Sequence, residues 1–472
     1  MSKPKPDLDA TFEERGLWWI ASAPDDKVAG IIKVSPAEIT LELVGILGKL
    51  DASFYSASEN LTIHGLTIGG QRVSLPDAFR LARNIKAPGI TTDRYYASFA
   101  AFGIYIADLD SPLFRSSWAR LHGLEAWLNH SHFRRGYDHE ARRLDLEVHA
   151  KSIETIAEFD DLEVRTGTNM YTDQRGRTGF DTTVHSCLGI RSGQARSVRW
   201  HLEALGKLQN LASLCFGYPL KMLAVELTGL DAEGDVSDER LEVHAYFSRM
   251  DDAETKDLDS SAPVISAPEL LEANPSAIQA WFEQYALLEP AMHLFFSIIG
   301  TKQLFVNVRF LLAVQALEVF HRRTASGRLC EPSDFESARK ALVAAIPDMT
   351  PAALREKIKG MLNFANEPSL MQRLRSLMAS LELEFNEMPA GVGGKFCRSL
   401  VDTRNYYTHF SANLQEKCLD GEGMHWATRR IVMLFTVFVL MRLGLKPVAI
   451  RAALTRHQEF NRLWTHEGNP FG

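Results

Sequence analysis

In the first half of the chain, apolar and polar positions alternate. In EITLELVG, Ile39, Leu41 and Leu43 share one face; in LDLEVHA, Leu144, Leu146 and Val148 do; in RLEVHAYF, Leu241, Val243, Ala245 and Phe247 do. A period of two places side chains on opposite faces of a pleated backbone, so these segments predict half-buried strands in antiparallel sheets. Stretches rich in glycine and polar residues, TIGGQRVSLPD (Thr67–Asp77) and TDQRGRTGFD (Thr172–Asp181), read as turns between them. One helix interrupts, where Val198, Leu202, Leu205, Leu208 and Leu211 recur at helical spacing and Gly217 marks the stop.

Near residue 250 the pattern changes. The stretch MDDAETKDLDSSAPVISAPELLEANPSA is acidic, carries three prolines and reads as a connection between domains. Beyond it the apolar period is helical. The candidate helices are Ser276–Leu288, Ala291–Ile299, Gln303–Thr324, Ser333–Ala345, Pro351–Phe364, Ser369–Leu383, Lys395–His409, Met424–Leu443 and Pro447–Thr455. Pro351 and Pro447 stand at first-turn positions, where the missing N–H costs nothing. The fold class is therefore α+β: a β-rich region, residues 1–265, followed by an all-α bundle, residues 266–472.

Composition narrows the function. The 472 residues are 46% hydrophobic and 24% charged, with a formal net charge of -7, so nucleic acid would have to be held by a local basic patch. The polar N-terminus MSKPKPDLDATFEERG lacks an apolar signal core, and the longest apolar run, Ile431–Met441, is too short to span a bilayer; a cytoplasmic protein without a membrane partner is expected. The five cysteines are scattered at no metal or redox spacing, which fits reduced thiols. The crowded ligand types of HSHFRRGYDHE lack metal-site spacing, so no metal or other cofactor is expected. GVGGK (Gly391–Lys395) lacks the Ser or Thr and the preceding strand of a phosphate loop, and reads as a flexible linker.

The chemistry-bearing stretch is TRNYYTHFS, Thr403–Ser411. Asn405 and His409, four apart, share a helix face; Arg404 and His409, five apart, diverge by about 140°. They converge only if the helix ends near His409 or the long arginine swings around. A near-neutral histidine can move a proton to or from a ribose hydroxyl, and a guanidinium can hold a phosphate, so phosphodiester cleavage is one use of the cluster. One histidine does not easily serve both sides of an in-line displacement, whereas two copies related by a two-fold axis could. The same residues also suit a cationic cap on a helix C-terminus. Glu318 lies on an apolar helical face; it either holds Arg404 or pairs with Arg322. Tyr406 and Tyr407 suit base stacking, with one of them in the core. Arg322–Arg323, Lys395 with Arg398, and Arg429–Arg430 are the local basic spots that could follow an RNA backbone.

RNYYTH matches the R-[N/D/H]-x-x-x-H signature of HEPN domains, on a late helix of an all-α region. With GLWWIASAPDDKVAGIIKVSPAEITLELVG and SPLFRSSWARLHGLEAWL toward the N-terminus, nearly the whole chain resembles the ApeA-type abortive-infection proteins. That resemblance implies a metal-independent endoribonuclease of prokaryotic anti-phage defence. It would cut host RNA, transfer RNA among the candidates, by 2′-hydroxyl attack at a composite site in a homodimer or higher homo-oligomer. It nominates Arg404 and His409 as catalytic with Asn405 in support; the residues themselves add Glu318 and Tyr407 as supporting candidates and Lys395, Arg398, Arg429 and Arg430 as candidate RNA contacts. The β-rich half would be the sensor or regulator answering a phage trigger. Some HEPN toxins carry a tyrosine two residues after the histidine, where a partner modifies it; this chain has Ser411 there. The competing expectation is a bundle that binds nucleotide or RNA without cutting.

Overall fold

In the computed structural model the described residues are 7–48, 60–175, 179–229, 242–247, 262–325 and 327–466. They form two compact units, Met1–Gln279 and Ala280–Gly472.

The first unit is built on antiparallel pairing. β1 (Phe12–Ile20), β2 (Val28–Val34), β3 (Ile39–Val44), β6 (Thr92–Ala97), β5 (Arg72–Asn84) and β4 (Leu61–Thr67) pair in that order, and β4 returns to β1, closing a six-stranded barrel. Trp18, Ile32, Leu41, Leu43, Ile63, Val73 and Tyr95 fill it. Closure removes the exposed edges that open sheets must protect. The long strand β5 belongs to two sheets. Val73 and Ser74 pair with β7 (Phe99–Phe102), while Phe79–Asn84 pairs with β6. The switch falls at Pro76–Asp77, where proline has no N–H to donate and Asp77 adopts a left-handed φ of 54°. TIGGQRVSLPD is thus a turn only at its start, because strand β5 begins at Arg72.

From β7 the sheet continues openly through β15 (Glu242–Phe247), β14 (Met222–Gly229), β8 (Phe114–Leu121), β13 (Gly179–Arg196), β12 (Leu162–Arg175) and β11 (Glu154–Phe159). A tryptophan lies over a glycine on the paired strand in both sheets. A Cβ on Gly65 would meet the Trp18 ring at 2.2 Å, and one on Gly189 would meet Trp118 at 2.4 Å. Helix α2 (Val198–Phe216) packs on β8 and β13, burying Leu205, Leu208 and Leu211. Ser197 caps its start by accepting from the Trp200 N–H, and Gly217 ends it at φ 72°. The short helix α1 (Leu124–Leu128), which carries no full helical period, buries Leu124, Trp127 and Leu128.

Two expectations for this half are corrected. Leu144, Leu146 and Val148 alternate, but their strand β10 (Arg143–Val148) pairs only with β9 (Phe133–Asp138) in a separate ribbon. Leu144 stays 57% exposed, so alternation here marks an amphipathic ribbon with an uncovered face. The acidic stretch near 250 is only partly a connection. Residues 248–261 lie outside the described residues, as do Arg240 and Leu241 of RLEVHAYF, the N-terminal residues 1–6, and residues 176–178 of TDQRGRTGFD. From Val264 onward the chain packs on the first unit: Ile265 N–H donates to Cys215 O at 3.0 Å, and α3 (Ala267–Ala273) starts from a capping box of Ser266 and Glu269.

The second unit is all helical. Two expected helices are one, α4 (Ala277–Gly300), which continues through Pro290 because Leu288, Ala291, Met292 and Phe295 stay buried on its inner face. Helix α5 (Val306–Thr324) packs against α10 (Gly421–Arg442), with Phe320 edge-on to Phe435. Phe295 stacks on Phe435 at 4.6 Å. α10 is long and apolar enough to cross a membrane, alone among the described residues; its apolar window is 78% buried, as in a core helix. Helices α6 (Pro332–Ala344) and α7 (Ala352–Asn363) bury no residue and pack on each other. Asn366 stitches the start and end of this excursion by accepting from the Leu329 and Cys330 N–H groups and donating to Cys330 O. α8 (Leu370–Phe385), α9 (Gly394–His409) and α11 (Pro447–Arg456) follow the expected spans, and α12 (Gln458–Thr465) adds a short helix that buries Phe460, Leu463 and Trp464.

Candidate functional site

Helix α9 carries the motif. Its inner stripe is Cys397, Leu400 and Thr403, all buried. Thr403 is polar but satisfied, its hydroxyl accepting from Leu419 N–H at 2.9 Å, which ties the return of the chain to the helix. The helix runs through His409 and stops at Phe410, whose left-handed φ of 50° directs its N–H back to Tyr406 O. A short 3₁₀ segment, Ala412–Lys417, then packs against α9 and leads into α10.

This geometry sorts the motif residues. Arg398, Asn405 and His409 follow one another at seven- and four-residue steps on the face opposite the buried stripe, and Lys395 shares that side. Lys395, Arg398 and His409 are exposed, and Asn405 is half-buried. Arg404, four residues after Leu400, is half-buried on the side of the buried stripe, about 140° around the axis from His409. Its guanidinium donates to Asn405 Oδ1 at 3.1 Å. Because α9 stays helical through His409, Arg404 and His409 do not come into hydrogen-bond contact within one chain, while Asn405 borders both. Thr408 donates to Arg404 O at 2.7 Å, which keeps the last turn regular.

The supporting residues divide further. Of the two roles open to Glu318, the ion pair with Arg322 is the one formed, at 3.2 Å. Arg322 also reaches Glu367 at 2.6 Å, and Glu367 lies 3.5 Å from the buried Arg373, whose guanidinium donates to His321 Nδ1. Burial pushes the His321 imidazole below its ordinary value, and the Arg373 and Arg322 charges push the same way. Glu318 thus belongs to a network bracing α5 against α8. Tyr406 and Tyr407 are both half-buried and pack edge-on at 5.2 Å. Burial raises the Tyr407 hydroxyl above its ordinary value, with Cys418 and Tyr406 adding to the shift.

The four expected RNA contacts separate into two pairs. Lys395 and Arg398 are exposed on α9. Arg429 is engaged by Glu459, its Nε donating at 2.6 Å. Arg430 is only 5% exposed and donates to His466 O, so it serves the core of the unit rather than its surface. His425, which the sequence reading passed over, lies one turn before Arg429. Burial lowers its imidazole, and the neighbouring Arg429 and Arg309 charges lower it further. The i, i+4 spacing of His425 and Arg429 was the available signal.

Other residue types with chemical potential are occupied structurally. Among the described residues, no group of three or more His, Cys, Asp and Glu is arranged to hold a metal ion. In HSHFRRGYDHE, His130 and His132 both bond Ser186 Oγ, at 3.0 and 2.9 Å. All five cysteines are free, and burial pushes Cys187 and Cys215 up to about 12, which keeps both thiols protonated. GVGGK is a packed turn rather than the expected linker, because Val392 is buried and its N–H donates to Pro389 O.

Two family models match. The ApeA N-terminal domain 1 model covers residues 13–281, more than half of the chain, and the Apea-like HEPN model covers residues 311–447, including most of α5 and all of α9 and α10. No curated protein and no solved structure matches the chain. Helix α9 lies inside the HEPN match and the barrel with its sheet inside the N-terminal match, so the chain belongs to the ApeA-like family of anti-phage defence proteins, whose C-terminal HEPN domain is a ribonuclease.

Proposed function

We propose that Arg404, Asn405 and His409 form one half of a composite, metal-independent endoribonuclease site completed by a second copy of the chain. One observation carries this reading. His409 is exposed at the end of α9 with its imidazole unbonded among the described residues, while Arg404 stands on another flank, bonded to Asn405. Within one chain the acid–base group and the phosphate clamp diverge; a two-fold partner lets α9 from each copy supply what the other lacks.

In the proposed reaction a ribose 2′-hydroxyl loses its proton to a neutral imidazole and attacks the adjacent phosphorus. The 5′-oxygen leaves with a proton from the imidazolium of the second histidine, His409 of the partner subunit, and the 3′ side closes as a cyclic phosphate. Arg404 holds the phosphate oxygens as negative charge develops, and Asn405 keeps the guanidinium in place. Lys395 and Arg398, exposed on the same helix, follow the RNA backbone. Host RNAs, transfer RNA among them, are the targets, in the cytoplasm, and the barrel-and-sheet unit holds the nuclease off until a phage component binds. The end groups of the products test the mechanism. A 2′,3′-cyclic phosphate with a 5′-hydroxyl is expected; a 3′-hydroxyl with a 5′-phosphate would overturn it.

A further inference from the structure

A cavity of about 420 Å³ opens between the first turns of α9 and those of α10, within the usual range of small-molecule pockets, roughly 300–1,000 Å³. Two aromatic rings, Phe396 and Trp426, line it, and both are partly exposed. Three oxygen-bearing side chains line it as well: Ser399, Asp420 and Glu422. The Ser399 hydroxyl donates to Lys395 O, which leaves its lone pairs available, and Glu422 accepts from the Trp426 indole at 3.4 Å. Exposed Lys395 is the cation at the rim. The cavity therefore offers π-faces, several acceptors and two cations, Lys395 at the rim and Arg430, whose guanidinium already donates to His466 O.

That set does not fit a bare phosphate, which two carboxylates repel and for which Arg430 is already committed to His466 O, nor a cation, which finds two flat apolar walls, a lysine and an arginine. It does fit a ribonucleotide with its base against the rings. Ring N–H, exocyclic amino or ribose hydroxyl groups then meet the acceptors, and the phosphate turns toward Lys395. Ser399 is ten residues before His409 on the same helix, about 15 Å along its axis. At 3.4 Å per stacked nucleotide this is roughly four nucleotides of strand, and fewer if the strand is splayed.

We propose that this cavity is a base-holding subsite that captures one unstacked nucleotide of the RNA, a few positions from the cut. It prefers a base with an exocyclic amino group, adenine, cytosine or guanine, over uracil. The proposal rests on the ribonuclease reading of α9 and supplies what that reading lacks, a source of sequence preference.

The test uses full-length His409→Ala protein, which binds without cutting, and labelled single-stranded oligoadenylate and oligouridylate of equal length. The adenylate is expected to bind about tenfold tighter. Trp426→Ala in the same background weakens adenylate binding by about tenfold, Trp426→Phe restores most of it, and Glu422→Gln reduces the preference for adenylate while leaving uridylate binding in place. If Trp426→Ala does not fold, the exposed Glu422→Gln carries the test. Equal binding of both oligomers, or a preference that survives both substitutions, overturns the proposal. Added AMP supplies the last arm. If AMP binds and Trp426→Ala removes that binding while oligomer affinities stay unchanged, the cavity serves a free nucleotide and the RNA subsite is refuted. Wild-type cleavage of the same RNAs, measured beside these assays, reports on the ribonuclease reading independently.

Discussion

His201 in the first unit and His409 in the second show two uses of one side chain. His201 is fully buried on α2; its Nε2–H donates to Phe114 O at 3.0 Å, so Nδ1 accepts from the Ser117 hydroxyl at 2.9 Å. Burial lowers its imidazole below the ordinary value, and the neutral ring is locked in one tautomer. His409 is exposed, in the last turn of its helix, with neither nitrogen bonded among the described residues. One histidine holds a helix on a sheet, and the other keeps both ring nitrogens unengaged among the described residues, as the proposed proton transfer requires. The first unit treats other polar groups as it treats His201. The buried Asp93 carboxylate accepts a bidentate pair of bonds from the half-buried Arg83 at 2.6 Å, and His132 is enclosed against Ser186. What separates a structural polar group from a chemical one is whether its hydrogen-bonding capacity is already filled.

The sharpest way to break the contrast is to truncate both histidines. His409→Ala is expected to lower RNA cleavage by 10²-fold or more while the melting temperature stays within a degree or two, checked by product formation beside a thermal melt. His201→Ala is expected to do the reverse. It removes a buried ring and strands Ser117 and the Phe114 carbonyl, at a cost of about 3 kcal/mol read as a lower denaturant midpoint, with cleavage per folded molecule unchanged.

Acid should separate the two classes next. The folded-state pKa of His201 and of His321 lies below the unfolded value, so the unfolded chain binds more protons as the medium acidifies. The stability these neutral rings contribute is present in full above about pH 6.5 and declines as pH falls below it, by at most about 1.4 kcal/mol per pH unit for each such histidine. Thermal melts between pH 7.5 and 5 check this; a melting temperature that rises on acidification would contradict it.

A smaller effect belongs to the exposed cations. Arg398→Ala is expected to reduce the slope of log affinity for single-stranded RNA against log salt by about 0.7, measured with the His409→Ala protein. Arg430→Ala should act on stability instead, since its guanidinium is buried against His466 O. The smallest effect is assigned to Glu318→Gln. Its partner Arg322 keeps Glu367, so stability should change by less than about 1 kcal/mol and the cleavage rate should hold. A large loss of cleavage would show that Glu318 acts on Arg404 after all.

Much of this was legible in the chain. The alternation of Ile39, Leu41 and Leu43 marked a barrel strand because that barrel has one wet face and one dry face. Closure of the barrel was not legible: it depends on β5 changing partners at Pro76–Asp77, and pairing between distant strands leaves no local period. Leu144 and Leu146 misled for the opposite reason, since alternation reports two unlike faces without saying that one is covered. The break expected between Leu288 and Ala291 is absent, since a helix can lose one backbone bond at Pro290 when its inner face is well packed. At the candidate site, spacing placed Asn405 with His409 and set Arg404 apart, as the helix does. Spacing could not show that Arg429 and Arg430 are engaged by Glu459 and His466 O, because both partners lie about thirty residues downstream.

The central claim is that an unengaged His409, with Arg404, cuts RNA without a metal. Purified full-length protein is incubated with single-stranded RNA and transfer RNA in excess EDTA, beside His409→Ala and together with lysate from phage-infected cells to supply the trigger. The account predicts cleavage by the wild type and cleavage lower by about 10²-fold or more with His409→Ala. Equal cleavage by both proteins, or activity that EDTA abolishes and added metal restores, would contradict it.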